Sequence, residues 1–280
     1  MKLQLNNFNN KHLGETIYIV GCAPHVNDLT SKQVESLRNK TVICVNHSFL
    51  KIEHPTYITT GHVDLMAYAL EYTHKKILIF AHKSENTKSI EQIWNNQRVI
   101  PMWDLNPSVP LPRFIDEKNN INGSTSSTLS ATHLAYIMGA SKIIYVGFEE
   151  TSQLHFYNTD KNIEAQMLSN IEKLLVSKKY WNPNNYTNSW QGIRSKIDVH
   201  SAFDVVLNRC QNAPDRQANL NRTIEDLKNS PFERAGCEQN TSNFSNYVSD
   251  LNKNGVETFT VALEGITIEA GCKQIDLHKI

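Results

Sequence analysis

Long apolar runs, paired cysteines and an excess of either charge are all missing from this 280-residue chain, and each absence removes a class of protein. No stretch reaches the roughly 18 apolar residues that a membrane-crossing helix needs. The opening stretch Met1–Glu15 lacks the apolar centre of a secretory signal, so export is not expected. The five cysteines, Cys22, Cys44, Cys210, Cys237 and Cys272, are odd in number and scattered, with no Cys-x-x-Cys pair. Neither a disulfide framework nor a zinc ribbon is built that way. Lys and Arg total 28 against 28 Asp and Glu, a formal net charge of zero. That balance argues against a broad electrostatic grip on nucleic acid or anionic lipid, although a local basic patch remains open. Internal repeats and long low-complexity linkers are absent too. What is left is a reduced, cytoplasmic protein, 40% hydrophobic and long enough for one large or two small domains.

Short β-branched runs bounded by turn residues come first. Thr16–Val20 ends at Gly21, Thr41–Val45 stops at Asn46, Thr56–Thr60 runs into Gly61, and Lys76–Phe80 follows a short helical segment. Between the first two, Leu29–Leu37 carries apolar positions at helical spacing, with Thr30 or Ser31 available as the N-cap. The clearest unit is 122–148: a hydroxyl-rich loop, a helix from Leu129 to Met138 closed by Gly139, and a strand Lys142–Val146 ended by Gly147. Asn162–Lys179 and Val199–Cys210 are helical candidates, separated by a polar loop Tyr180–Trp190, and 211–250 is polar and rich in Asn. A last strand is expected over Gly255–Val261. Strand and helix in repeated order predict an α/β fold with a mostly parallel sheet covered on both faces.

Several motifs carry a chemical reading and a plainer one. Gly21-Cys-Ala-Pro24 makes a tight strand-to-helix turn, which presents backbone N–H groups where phosphate is favoured or simply reverses the chain. It is not the G-x-G-x-x-G fingerprint. Asn46 at a strand end can donate to and accept from a nucleobase or ribose, or cap a turn. Ser124 to Thr128 are five consecutive hydroxyl residues before a helix, more than an N-cap requires, and suit a phosphate or ribose. Gly147-Phe-Glu149-Glu150 and His155-Phe-Tyr157 follow the next strand, but their spacing matches no metal-ligand pattern, so no metal site is expected. Tyr157, Tyr180 and Tyr186 can bond a phosphate or merely pack.

These residues carry a resemblance. Ile17-Tyr-Ile-Val-Gly-Cys-Ala-Pro-His25 resembles the opening I-I-(A/V)-G-N-G-P-S strand and loop of the bacterial sialyltransferases of glycosyltransferase family 42. Cys44-Val-Asn46-His-Ser-Phe49 is similar to that family's C-N-x-F-Y segment. The stretch from Ser126 through Ala131, Ala135 and Gly139 to Ile143-Ile-Tyr-Val-Gly-Phe-Glu149 resembles its T-S-G…A…A…L-G…I-Y-L-x-G-I-D block. Motility-accessory-factor, hydroxymethylpterin pyrophosphokinase-like and many phage proteins of the same superfamily share these blocks. The resemblance covers residues 15–160.

It implies a Rossmann-like, doubly wound, mostly parallel sheet with a helical C-terminal elaboration. The expected division is a nucleotide-binding core over 1–160, a helical or loop elaboration covering the site over 161–254, and a C-terminal strand returning to the core over 255–280. The family's nucleotide contacts fall on Gly21, Cys22, Ala23, Pro24, Asn46, Ser126, Ser127, Gly147 and Glu149. Cys22 stands where the family has Asn, Ala23 where it has Gly, His25 where it has Ser, and Thr128 where it has Gly, so the resemblance implies a nucleotide site without fixing its base. Its histidine base falls on His200, in His-Ser followed by Asp204, with His155 as competitor, and its phosphate-binding tyrosines on Tyr157 and Tyr180.

The expected activity is transfer of a sugar from a nucleotide-activated donor to a glycan or other hydroxyl acceptor, with no cofactor. The alternatives are diphosphate transfer from ATP, with Mg²⁺ held by acids among Asp64, Asp104, Glu149 and Glu150, or a nucleotide-binding protein without catalysis. A homo-oligomer is open. The abundance of Asn and Lys fits an AT-rich genome such as that of a phage or a small bacterial pathogen.

Overall fold

The computed structural model describes residues 2–61, 63–82, 91–105, 109–115, 120–122, 126–148, 156, 160–163, 165–166, 169–170, 173, 238–262 and 271–276. The first β-branched run becomes the central strand. β1 (Thr16–Val20) lies between β2 (Thr41–Val45) and β7 (Lys142–Val146), parallel to both. From β1 the chain steps outward through β2, β3 (Tyr57–Thr60), β4 (Leu78–His82), β5 (Val99–Leu105) and β6 (Asn120–Asn122). It then returns to the far side of β1 with β7, and continues through β8 (Glu257–Ala262) to β9 (Lys273–Asp276). The result is a nine-stranded, all-parallel sheet in the order β6-β5-β4-β3-β2-β1-β7-β8-β9. The expected doubly wound α/β fold is therefore present, with its switch point between β1 and β7.

Parallel strands need cover on both faces, which explains why β1, β2 and β7 are continuously apolar after their first residue rather than alternating. On one face Tyr18, Val20, Val42, Cys44, Ile58 and Ile79 pack under α1 (Ser31–Leu37), α2 (Val63–Tyr72) and α3 (Glu91–Trp94). On the other, Ile17, Ile19, Ile43, Val45, Phe80 and Tyr145 pack under α4 (Ser127–Ile137) and α5 (Glu238–Lys253), together with Leu5 and Phe8 of the N-terminal segment. α5 falls within 161–254 in sequence, and its Phe244, Val248 and Leu251 are part of this core.

Local chemistry sets the helix ends. Thr30 caps α1 in a capping box, accepting from Gln33 N–H at 3.3 Å while Gln33 Oε1 accepts from Thr30 N–H at 2.8 Å. The carbonyls of Ile137, Met138 and Gly139, orphaned at the end of α4, accept from the N–H groups of Asn10, His12 and Gly14 at 2.8, 2.7 and 2.9 Å. Gly139 itself takes φ +88°, the left-handed closure expected of it. The carbonyls at the end of α2 are met by a buried arginine: Arg98 donates to Leu70 O at 3.0 Å and Ala69 O at 3.4 Å, and also to Ile77 O, just before β4, at 2.9 Å.

Three strands escape the patterning. β5 contains Pro101, which breaks a strand reading, yet among the described residues β5 is paired on one side alone at Pro101. β5 pairs with β4 over Val99–Met102 and with β6 only over Trp103–Leu105. β6 has three residues, and β9 is Lys-Gln-Ile-Asp, largely exposed. The run expected over Lys76–Phe80 is shifted to Leu78–His82, because Ile77 N–H closes a turn onto His74 O at 3.0 Å. Residues 161–163, 165–166, 169–170 and 173 are helical, as expected over Asn162–Lys179. The Tyr180–Trp190 loop and the Val199–Cys210 helix lie outside the described residues. Among the described residues no helix is long and apolar enough to cross a membrane.

Candidate functional site

Open parallel sheets bind ligands beyond the carboxyl ends of their strands, at the switch point. Here that edge gathers the loops after β1, β2 and β7 and the first turn of α4. The helix is placed by its other end: its last turn is held by the 10–14 segment at the amino edge, and eleven residues rising about 1.5 Å each bring its start to the carboxyl edge.

The β1 and β7 loops touch backbone to backbone. A Cβ on Gly21 would lie 2.4 Å from Gly147 O, and one on Gly147, whose φ is +77°, would lie 2.2 Å from Val26 Cγ2. Both glycines are thus required by close approach. Three amides are engaged within these loops. Gly21 N–H donates to Val146 O at 2.7 Å, Ala23 N–H to Gly147 O at 3.1 Å, and Gly147 N–H to His25 Nε2 at 3.0 Å. Pro24 opens a 3-10 turn, Pro24–Asp28, where its missing N–H is no loss. Cys22 donates its thiol to Val45 O at 3.2 Å, and its own carbonyl accepts from Phe156 N–H at 2.9 Å. Asn27 Nδ2 donates to Phe156 O at 2.7 Å. The fully buried Phe156 is therefore clamped on the first loop.

Asn46 ends β2 with φ +50° and begins a 3-10 turn, Asn46–Leu50. Ser48 secures this turn, its hydroxyl donating to Val20 O at 2.7 Å. Asn46 Oδ1 is buried and has no hydrogen-bond partner among the described residues. One strand over, Thr59, in register with Val45, holds a second buried oxygen of that kind, Oγ1. Ser126 is the N-cap of α4, accepting from Leu129 N–H at 3.4 Å, and Ser127 is buried beside it. Orphaned oxygens on the sheet edge to which α4 brings its N-terminus suit a polar ligand that donates hydrogen bonds and carries negative charge.

The described candidates Gly21, Cys22, Ala23, Pro24, Gly147, Asn46, Ser126 and Ser127 thus lie along one edge of the sheet. Glu149, His155, Tyr157, Tyr180 and His200 lie outside the described residues, as do Ser124, Thr125, Glu150 and Tyr186. Among the described residues no group of three or more His, Cys, Asp or Glu is arranged to hold a metal ion. Burial pushes the Cys44 thiol up, well away from reactivity.

Sequence reasoning passed over Thr59, His82 and His133. Thr59, one residue before the end of β3, and His82, the last of β4, lie toward the edge that Asn46 shares, and strand ends of a parallel sheet are the signal that finds them. His133 has another task. Desolvation inside α4 pushes its imidazole down to about 4, so it is neutral, with Nδ1 accepting from Asn122 N–H at 2.9 Å and Nε2 donating to Pro112 O at 2.8 Å. It ties β6 and the 109–115 segment to α4. A second cluster, at the amino edge, has the geometry of a relay: Tyr57 O–H to His12 Nε2 at 2.7 Å, and His12 Nδ1–H to Glu15 Oε2 at 2.9 Å. Tyr57 is 3% exposed, and burial with the nearby Glu15 charge pushes its phenol up to about 12. That phenol is a strut and not a nucleophile. No family model and no curated protein matches the chain, so the reading of the carboxyl edge stands on its own residues.

Proposed function

We propose that this chain is a glycosyltransferase that moves a sugar from a nucleotide-activated donor to a hydroxyl acceptor. Asn46 carries the reading. Its buried Oδ1 has no partner among the described residues, its backbone is left-handed, and it stands at a strand end of a doubly wound sheet. A nucleobase or ribose N–H or O–H would satisfy that oxygen, and the first turn of α4 would favour the donor's phosphate.

Transfer makes three demands. The acceptor hydroxyl gives its proton to a base as its oxygen bonds to the anomeric carbon, and the bond from that carbon to the phosphate oxygen breaks. The charge left on the phosphate then needs hydrogen-bond donors. Two histidines compete for the base. They are His200 and His155, as the resemblance implies, with Tyr157 and Tyr180 as the donors to the phosphate.

A thermal-shift panel of CMP, UDP, GDP and ATP, each with and without Mg²⁺, tests the proposal. A nucleotide at about 100 times its dissociation constant stabilises by roughly 2.7 kcal/mol. A shift with a nucleotide diphosphate or monophosphate in excess EDTA supports glycosyl transfer. A shift with ATP that needs Mg²⁺ turns the reading to diphosphate transfer, and no shift with any of the four removes the site.

A further inference from the structure

The amides at the switch point are where a dinucleotide or phosphate would be held in a fold of this kind. Two of the three engaged amides, those of Gly21 and Ala23, close onto backbone carbonyls of the β7 end. The third is different, because a side chain supplies the acceptor. Gly147 N–H donates to His25 Nε2 at 3.0 Å, so Nε2 carries the lone pair and the ring proton resides on Nδ1. His25 is 8% exposed, on the β1 loop with its ring bonded to the end of β7. An imidazole lone pair thereby occupies the donor that a phosphate oxygen would otherwise take.

We infer that His25 is a specificity residue, an internal stand-in for an anion that shuts the β1/β7 crevice to phosphate and confines the ligand to the Asn46 side of β1. The closure depends on the His25–Gly147 contact alone. The confinement rests on the proposed nucleotide site at Asn46. A purely structural lock would make the same hydrogen bond, but removing it would leave phosphate affinity unchanged. A stand-in, once removed, leaves a glycine-turn amide for an incoming anion.

The test is a calorimetric titration of the wild-type chain, His25→Ala and His25→Gln with inorganic pyrophosphate at fixed ionic strength. Melting curves confirm that each variant folds. His25→Ala should bind pyrophosphate roughly tenfold or more tightly than wild type, the worth of one hydrogen bond to a charged group. His25→Gln, whose amide oxygen can still accept from Gly147 N–H, should stay at the wild-type value. If His25→Ala does not melt cooperatively, His25→Ser, whose hydroxyl ends at the γ position, carries the same comparison. Adding Asn46→Gly should leave the gain in place. A wild type that binds no nucleotide, with the gain intact, removes the Asn46 reading and keeps the closure. An alanine or serine variant no tighter than wild type, or a glutamine variant that gains as much, overturns the inference.

Discussion

Replacing Asn46 by Gly and by Ala separates what its backbone needs from what its side chain offers. The residue sits at φ +50°, a conformation that costs an ordinary L-residue about 1–2 kcal/mol and glycine almost nothing. Its Oδ1 is buried with no partner among the described residues, and an orphaned polar atom costs about 1–3 kcal/mol. Asn46→Gly removes that orphan and gives back about 0.5–1 kcal/mol through chain entropy. Without ligand it should therefore be neutral or up to about 2 kcal/mol more stable than wild type. Asn46→Ala removes the same orphan without glycine's entropy cost but carries the left-handed strain, so it should fall below Asn46→Gly by up to about 1.5 kcal/mol, roughly 2 °C per kcal/mol for a chain of this size. Saturating nucleotide reverses the ranking. Both variants should lose about 1–3 kcal/mol of binding, near 5- to 150-fold in dissociation constant. The assay is thermal unfolding of the three proteins across a nucleotide titration. If Asn46→Gly melts well below wild type and responds to nucleotide as wild type does, the side chain is a structural cap and the argument fails.

Thr59→Val exchanges the second orphaned oxygen for a methyl group and should raise the melting temperature by roughly 2 °C or more, whereas a fall would show that the hydroxyl has a partner. Gly147→Ala combines a Cβ 2.2 Å from Val26 with a left-handed backbone, and should destabilise by about 2–5 kcal/mol in denaturant titrations. A loss under about 1 kcal/mol would refute that packing. Hydrogen bonds from Thr41 and His12 hold the Glu15 carboxyl below its ordinary range, so its contribution is present above the unfolded carboxylate value and is lost as pH falls through the folded one. Melting temperature against pH should then show an acid limb in wild type that is shallower in Glu15→Gln, and parallel limbs would dismiss the contribution.

Much of the architecture was legible without coordinates. Aliphatic runs ended by Gly21, Asn46 and Gly147 specify central parallel strands, since only strands buried on both faces forgo alternation. Thr30 and Gly139 mark helix ends through bonds and dihedrals that lie within a few residues of them. The candidate edge was legible as well, because in a doubly wound sheet the strand ends fix where Asn46 and the α4 cap must fall. β5, β6 and β9 were not: Pro101 stands where β5 is paired, among the described residues, with β4 alone, a fact of pairing and not of propensity. Nor does any local pattern tell that Gly21 and Gly147 are glycines for each other's sake, 126 positions apart in the chain but in backbone contact across β1 and β7. His25 and His133 differ in the same way. No sequence pattern gives either a role, and only the tertiary structure, by placing a backbone amide against each ring, makes them acceptors. Periodicity and capping are short-range and survive in the sequence, whereas close approach and hydrogen-bond satisfaction are settled between residues that meet only when the sheet is built.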